Sequence, residues 1–436
     1  MVSFRDFVEK LKKETRVIEL KKPVDKKLDM AGVFKTLENE KIPILGEDKD
    51  SGMKVVCNVY GDKKLVAEAI GCEQGELVKK LTKAIANPSE PTVIEKTEAP
   101  VLEKEEEVDL TKLPIPLHTD KDGGPYFSSA VIFVYDKELG RNASFHRMAV
   151  IDKDKLVIRM LPRNLNAFRD KAEERGENLK IAFAVGIPIN ALLAAATSVE
   201  LGFDEMTIAN SLSPIKMVEI ENGIRVPAEA EYVYVGEITK EEHDEGPFVD
   251  LTETFDIIRK QRVIKINKIY HRKNSIHHVL LPGGLEHKVL MGMPREPTIW
   301  REVEKAGISV KGVNVTPGGC SWLHGVVSID KKTDEDGKNA IEAAFQGHKS
   351  MKHVVIVDED INIFDPNEVE WAIATRFQAN RDVVMKEGAK GSSLDPSSDP
   401  ETRATTKVGL DCTKPLVGKE NFEKAEYKKV NVEEYR

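Results

Sequence analysis

Two short segments hold acids and a cation at a spacing suited to proton chemistry. In Glu245-Gly-Pro-Phe-Val-Asp250 a Gly-Pro turn brings two carboxylates near one another, and in Asn142-Ala-Ser-Phe-His-Arg147 an arginine closes a run of amide, hydroxyl and imidazole groups. Two acids and an arginine in one cleft form a proton-transfer network, because the cation holds one carboxylate ionised while the other titrates near neutrality. Strand alternation places Asn142, Ser144 and His146 on one side and Arg147 on the other. The competing reading of the acid pair is a polar loop over a barrel, and an arginine in a strand is as a rule solvated or ion-paired. Spacing alone leaves both open.

Other chemistry-bearing patterns fail on residue type. No Gly-x-Gly-x-x-Gly follows a strand, no phosphate loop ends in Gly-Lys-Ser/Thr, and there is no His-Glu-x-x-His. Asp358-Glu-Asp-Ile-Asn starts like a calcium loop, but Ile363 stands where Gly is needed and Val369 where Glu is needed. Neighbours in a strand point to opposite faces, so His277 and His278 read as structural rather than as a chelating pair. Cys57, Cys72, Cys320 and Cys412 lie far apart with no zinc spacing, as reduced and mostly buried thiols do.

The elements that must position these residues fall into three blocks. Ser3 caps a helix with Phe4, Phe7, Val8 and Leu11 on one face, a β-rich run spans Lys54 to Val59, and a helical segment runs from Lys64 to Ala86. From Asn87 to Asp109 prolines and an acidic run indicate a linker or edge strand. The middle block is rich in short β-branched runs, which predict a barrel or sandwich. Pro297 and Gly307 then bracket a helix, after which strands alternate with helices as in an α/β layer domain. The stretch from Lys386 to Lys407 reads as loop.

A net charge of -9, with Lys and Glu interspersed, excludes a surface that tracks nucleic acid. The most apolar run, Ile181 to Ala196, is broken by Gly186, Pro188 and Asn190 and falls short of the roughly 20 residues that span a bilayer, so no stable membrane insertion is expected. The N-terminal residues lack the pattern of a signal peptide, and a cytoplasmic location is expected.

Taken in chain order, Asn142-x-Ser-x-x-Arg147, Glu205 in Phe203-Asp-Glu-Met, Val226-Pro-Ala-x-Ala-Glu231 and Glu245-Gly-Pro-Phe-x-Asp250 resemble the UbiD decarboxylase family. So do Leu281-Pro-Gly-Gly, Asn314-Val-Thr-Pro, His353-Val-Val-Ile-Val-Asp-Glu-Asp-Ile, Phe364-Asp-Pro and Lys407-Val-Gly-Leu-Asp-Cys-Thr-Lys-Pro, which extends the likeness over nearly the whole chain.

The resemblance implies a mixed α/β (α+β) fold with an N-terminal α/β domain and linker over 1–110, a central split β-barrel flavin-binding domain over 111–296, a connecting helix over 297–307 and a C-terminal α/β assembly domain over 308–436. It implies prenylated FMN as cofactor, with Asn142, Ser144, Arg147, Glu205 and Lys407 around it. Asn142 and Glu205 fall at positions that hold Mn2+ (or Mg2+) on the flavin phosphate, an oxygen-only donor set that suits such hard cations. Asn164 follows Pro162-Arg163 where the family often has a histidine ligand; either it offers an oxygen in its place or the position is left to water. A potassium ion held by backbone carbonyls is implied nearby. Arg147, Glu245 and Asp250 match the catalytic network: Arg147 binds the substrate carboxylate, Glu245 orients it and Asp250 protonates the carbon that lost CO2.

The implied partners are a small-molecule carboxylic acid, a flavin prenyltransferase that supplies the cofactor, and further copies of the chain in a homo-oligomer (dimer or hexamer). Within the family, the short chain and missing histidine are most similar to the archaeal branch that decarboxylates trans-anhydromevalonate 5-phosphate to isopentenyl phosphate. Arg163, Arg169 and Lys171, just after the Pro162 turn, are cations for a substrate phosphate, or else solvated helix residues. The alternatives are a polyprenyl-hydroxybenzoate or other aromatic or acrylic acid as substrate and, outside this chemistry, an FMN-binding reductase or a non-catalytic flavin-binding protein.

Overall fold

The computed structural model describes residues 3–422, 424, 425, 427, 428 and 430–435. Ser3 accepts the N–H of Asp6 at 3.1 Å and starts the helix Phe4–Lys13, whose buried face is Phe4, Phe7, Val8 and Leu11. The helical segment expected to run unbroken to Ala86 is two helices, Lys63–Ile70 and Leu77–Ala86. Gly71 takes a left-handed φ of 73° that ends the first, a conformation glycine reaches without strain. The N-terminal sheet runs Ile18–Glu19, Ile44–Glu47, Lys54–Cys57 and then Ile276–His278, so its fourth strand comes from far along the chain.

In the middle block the hydrogen-bonded path is Tyr126–Phe127, Met148–Val150, Lys155–Ile158, Arg259–His271, Tyr232–Glu245, Leu179–Val185, Val131–Asp136 and Gly140–Phe145. Lys104–Glu106, from the expected linker, adds to Arg259–His271 as an edge strand. The two ends of the path are not joined by ladder bonds, which makes the sheet a split barrel rather than a closed one. Short strands were the expectation, yet Tyr232–Glu245 has 14 residues and Arg259–His271 has 13. The outer half of the first, Thr239 to Asp244, has no apolar alternation because it projects past the core; cross-strand pairs such as Glu242–Arg262 (3.3 Å) and Asp244–Lys260 (3.1 Å) line it instead.

The connecting helix spans Glu296–Lys305, with Pro297 in its first turn and Gly307 beyond it at a φ of 82°. The C-terminal sheet has the order Ser309–Val315, His324–Asp330, His353–Asp358, Ala404–Cys412 and Val383–Lys390, flanked by helices Asp336–Gly347 and Pro366–Arg376. The stretch expected as loop from Lys386 thus begins inside a strand. Val383–Lys390 is an edge strand with no fully buried residue, and past its opening Val-Val-Met it shows no apolar alternation in the sequence. Among the described residues no helix is long and apolar enough to cross a membrane.

One buried ion pair keys the three blocks together. Lys63, from the N-terminal block, pairs with Glu296 of the connecting helix and donates to Asn314 Oδ1 of the C-terminal sheet at 2.7 Å. Glu296 also accepts the Val315 N–H at 2.8 Å, and its carboxylate is 1% exposed. Removing the lysine leaves a buried acid without its counter-charge, at a cost of about 3–5 kcal/mol. Lys63→Met is therefore expected to lower the thermal midpoint markedly, and adding Glu296→Gln to recover part of the loss; equal midpoints for Lys63→Met and wild type in a melting experiment would show that the blocks are held elsewhere.

Candidate active site

The chain crosses the split at one place. Gly140–Phe145 is the last strand at one edge of the barrel sheet and Met148–Val150 is next to last at the other, so His146 and Arg147 bridge the gap. The His146 N–H donates to the Ala130 carbonyl at 3.3 Å, where the chain also crosses between Tyr126–Phe127 and Val131–Asp136. Functional side chains leave this crossing in two directions.

On one side the strand meets the helix Glu205–Leu212, capped by Asp204, so that its first residue points a carboxylate at Asn142. Glu205 is 2% exposed and accepts the Ala143 N–H at 2.7 Å and the Asn142 amide at 2.6 Å. Burial, with a smaller push from Asp204, raises its carboxyl to about 8 against the pull of those two donors. No cation pairs with it among the described residues. The Ser144 hydroxyl lies 3.1 Å from both Asn142 Oδ1 and His146 Nε2. Burial pulls the His146 imidazole down to about 4, so it is neutral, and its Nδ1 donates to the Arg159 carbonyl at 3.0 Å. Asn142, Ser144 and His146 thus form one connected row, as alternation requires.

On the other side Arg147 faces a cluster of acids. Its Nε donates to Glu245 Oε1 at 2.8 Å and Nη2 to Glu245 Oε2 at 3.1 Å; Nη1 reaches Asp250 at 3.2 Å and Nη2 reaches Asp256 at 2.8 Å. Burial opposes the charge on Arg147, but Glu245, Asp250 and Asp256 together push its proton affinity above the ordinary value. Glu245 is fully buried, whereas Asp250 is 22% exposed. Tyr126 donates to Glu245 Oε1 at 3.1 Å and accepts the Gly246 N–H at 3.0 Å, which pins the turn after the acid. A side chain at Gly123 would put its Cβ 2.4 Å from the Gly246 carbonyl oxygen, so only glycine fits beneath that turn. Phe248 lies under the guanidinium, 5.0 Å from ring centre to Cζ.

Four residues that sequence reasoning missed complete the group. Asp256 bridges Arg147 and Arg259 (2.7 Å), and although burial works against its charge, these two cations hold its carboxyl well below the usual range. Arg159 lies 3.6 Å from Asp256. His287, made neutral by burial, accepts the Gly283 N–H on Nδ1 at 3.0 Å and sits within the field of Asp250. Three guanidinium groups and three carboxylates therefore share one half-open cleft, with charges that balance. Such a group has the chemistry to bind a carboxylate and to relay a proton.

Two of the expected site residues stand apart from both sets. Asn164 donates its amide to the Val199 carbonyl at 3.3 Å and has no described contact with Asn142 or Glu205. Lys407 lies in the C-terminal sheet, where its ammonium donates to the Lys349 carbonyl and sits 5.4 Å above the Phe345 ring. Of the cations offered for a phosphate, Arg169 is taken up by Asp170 and Glu173 and Lys171 by Glu138 and Glu174, which leaves Arg163.

Comparison with known proteins places this chain. Family models described as 3-octaprenyl-4-hydroxybenzoate carboxy-lyase match as N-terminal domain over residues 8–85, Rift-related domain over 92–285 and C-terminal domain over 288–412. A Methanosarcina mazei protein called anhydromevalonate phosphate decarboxylase is 44% identical over 428 residues, 97% of this chain and 99% of that one. A protein of the same name from Methanocaldococcus jannaschii is 52% identical over 316 residues, 72% of this chain and 75% of that one. Among solved structures, the UbiD-class enzyme HmfF from Pelotomaculum thermopropionicum in complex with FMN superposes with a TM-score of 0.95 at 37% identity, covering 100% of both chains. An evolved dimeric form of that enzyme in complex with prFMN gives 0.92 at 35% identity, again over 100% of both chains.

Proposed function

This chain belongs to the UbiD family, and from that premise we propose that it is a prenylated-FMN-dependent decarboxylase that converts trans-anhydromevalonate 5-phosphate to isopentenyl phosphate and CO2. The observation that carries the reading is Arg147 set among Glu245, Asp250 and Asp256, inside a chain that matches an anhydromevalonate phosphate decarboxylase end to end.

The donor set around Glu205 fits the metal that the family implies. A carboxylate buried without a counter-ion is costly, and a divalent cation bound there would restore its charge. No group of three or more His, Cys, Asp or Glu suited to a metal occurs among the described residues. Asn142 and Glu205 would then hold Mn2+ or Mg2+ with few protein oxygens, which leaves coordination positions for the flavin phosphate. When bound, prenylated FMN supplies an electron-accepting ring for the pair left behind as CO2 departs.

The chain's own residues handle charge and protons. Arg147 receives the substrate carboxylate on the side shared with Asp250 and Asp256, while the buried, doubly bonded Glu245 fixes the plane of the guanidinium. A fourth carboxylate entering a balanced cluster favours uptake of one proton by it. The bond between the carboxyl carbon and the adjacent alkene carbon breaks, and the pair it releases ends in a new bond from that carbon to a proton from Asp250, which takes the place of CO2. The double bond keeps its position, which yields the terminal alkene of the product. Asp250 suits the role because it combines contact with Arg147 and access to solvent for reprotonation.

Three outcomes test this. Loaded enzyme should turn over trans-anhydromevalonate 5-phosphate and ignore a hydroxybenzoate bearing a long prenyl tail; preference for the aromatic acid in a CO2-release assay would overturn the substrate. Asp250→Asn should keep fold and flavin but slow turnover by about 100-fold or more, in the range of a positioned acid, and near-normal rates would move the proton donor elsewhere. In Glu205→Gln, bound metal and flavin should fall in parallel, as read by elemental analysis and the flavin spectrum; full flavin occupancy without metal would make Glu205 structural.

A further inference from the structure

Arg295 stands just before the connecting helix and reaches back to the loop between helices Ile189–Ala196 and Glu205–Leu212. Its Nη2 donates to the Ala196 carbonyl at 2.7 Å and its Nη1 to Ser198 Oγ at 2.8 Å. The Trp322 ring lies against the guanidinium, 5.5 Å from centroid to Cζ, and Nε is buried with no acceptor among the described residues. All its partners are neutral. Burial lowers Arg295 to about 10, and the charged group that adds to this effect is another arginine, Arg163.

Arg163 is exposed at the start of the helix Asn164–Glu174, and the next residue, Asn164, donates to Val199 of the same loop. Arg295 and Asn164, the residue after Arg163, therefore hold the same loop, residues 196–199, and neither guanidinium has an acid partner among the described ion pairs. Elsewhere in this region the cations are neutralised, as Arg169, Lys171 and Arg175 are by Asp170, Glu138 and Asp136. A guanidinium buried among neutral partners, with a like charge near it, destabilises the fold unless an anion completes the site. Guanidinium forks match the oxygens of a phosphate group. The loop they hold runs directly into Asp204 and Glu205, which ties this corner to the site described above.

We propose that Arg295 and Arg163 form a subsite for a phosphate monoester, filled by the 5-phosphate of the substrate; this rests on the reading of the chain as an anhydromevalonate phosphate decarboxylase. The other phosphate monoester in the holoenzyme belongs to the flavin, and the test separates the two sources. Wild-type holoenzyme, Arg295→Met and Arg163→Met are compared for flavin and metal content, for binding of inorganic phosphate by calorimetry, and for KM with trans-anhydromevalonate 5-phosphate. The expected result is retained flavin and metal, phosphate affinity weakened and KM raised each by about tenfold or more, as for lost charge-assisted bonds, with kcat altered far less. Loss of flavin with KM unchanged would assign the pair to the cofactor and overturn the proposal, as would unaltered phosphate binding and KM. Should Arg295→Met fail to fold, the exposed Arg163→Met decides by the same readouts. If the wild type does not turn over this acid, phosphate binding that weakens in the variants supports the subsite and sinks only the substrate; phosphate binding that stays equal sinks the subsite.

Discussion

The guanidinium of Arg147 is surrounded by more negative charge than it can neutralise alone. Three carboxylates crowd it, one of them with no solvent exposure at all, and two further arginines, Arg159 and Arg259, are drawn in to restore balance. Burying such a group is expensive, and it persists only where every oxygen and N–H finds a partner. Much of the local architecture meets that demand: the Tyr126 phenol, the glycine at 123 that lets the Gly246 turn sit close, and the long strand that carries Glu245 past the barrel core. On the reading proposed above, a carboxylate substrate would enter a cluster already arranged for carboxylates and so meet little reorganisation.

The second demand is at Glu205, where the opposite problem holds. Here an acid is buried with neutral donors only, and the cost is left standing until something positive arrives. The two sites are physically joined: the row Asn142, Ser144, His146 ends on the Arg159 carbonyl, and the Arg159 side chain faces Asp256. One strand end thus sets both the buried acid pocket around Glu205 and the ion cluster around Arg147. Their separation is governed by backbone geometry rather than by mobile side chains.

Much of this was legible in the residues. Asn142, Ser144 and His146 share a face because strand alternation demands it, and the Gly-Pro turn between Glu245 and Asp250 announced a pair of neighbouring acids. Asp256, Arg259 and Arg159 were not legible, since they lie outside the two segments whose spacing suggests proton chemistry and only the fold brings them to Arg147. Arg295 was hidden for the same reason, as its partners come from Ala196, Ser198 and Trp322. In the fold, elements with an apolar stripe were located well, whereas the outer half of Tyr232–Glu245 and the edge strand Val383–Lys390 were missed. Both bury almost nothing, so their stability comes from pairing, which leaves no periodic trace.

The N-terminal sheet closes only when Ile276–His278 docks beside Lys54–Cys57. During synthesis the first block therefore emerges with an open, apolar edge at Val55 and Val56, and the whole barrel must be made before its partner strand leaves the ribosome. A connection this non-local is slow to form, because the loop it closes loses entropy before any contact rewards it. Glu231 helps at that moment: its carboxylate holds both Arg5 of the first helix and the N–H of Ile276, so the barrel carries a ready clasp for the two ends it has to join. The first block and the barrel are in this sense a single folding unit, and a fragment that stops at the linker would expose the strand edge that natural sheets take care to cover.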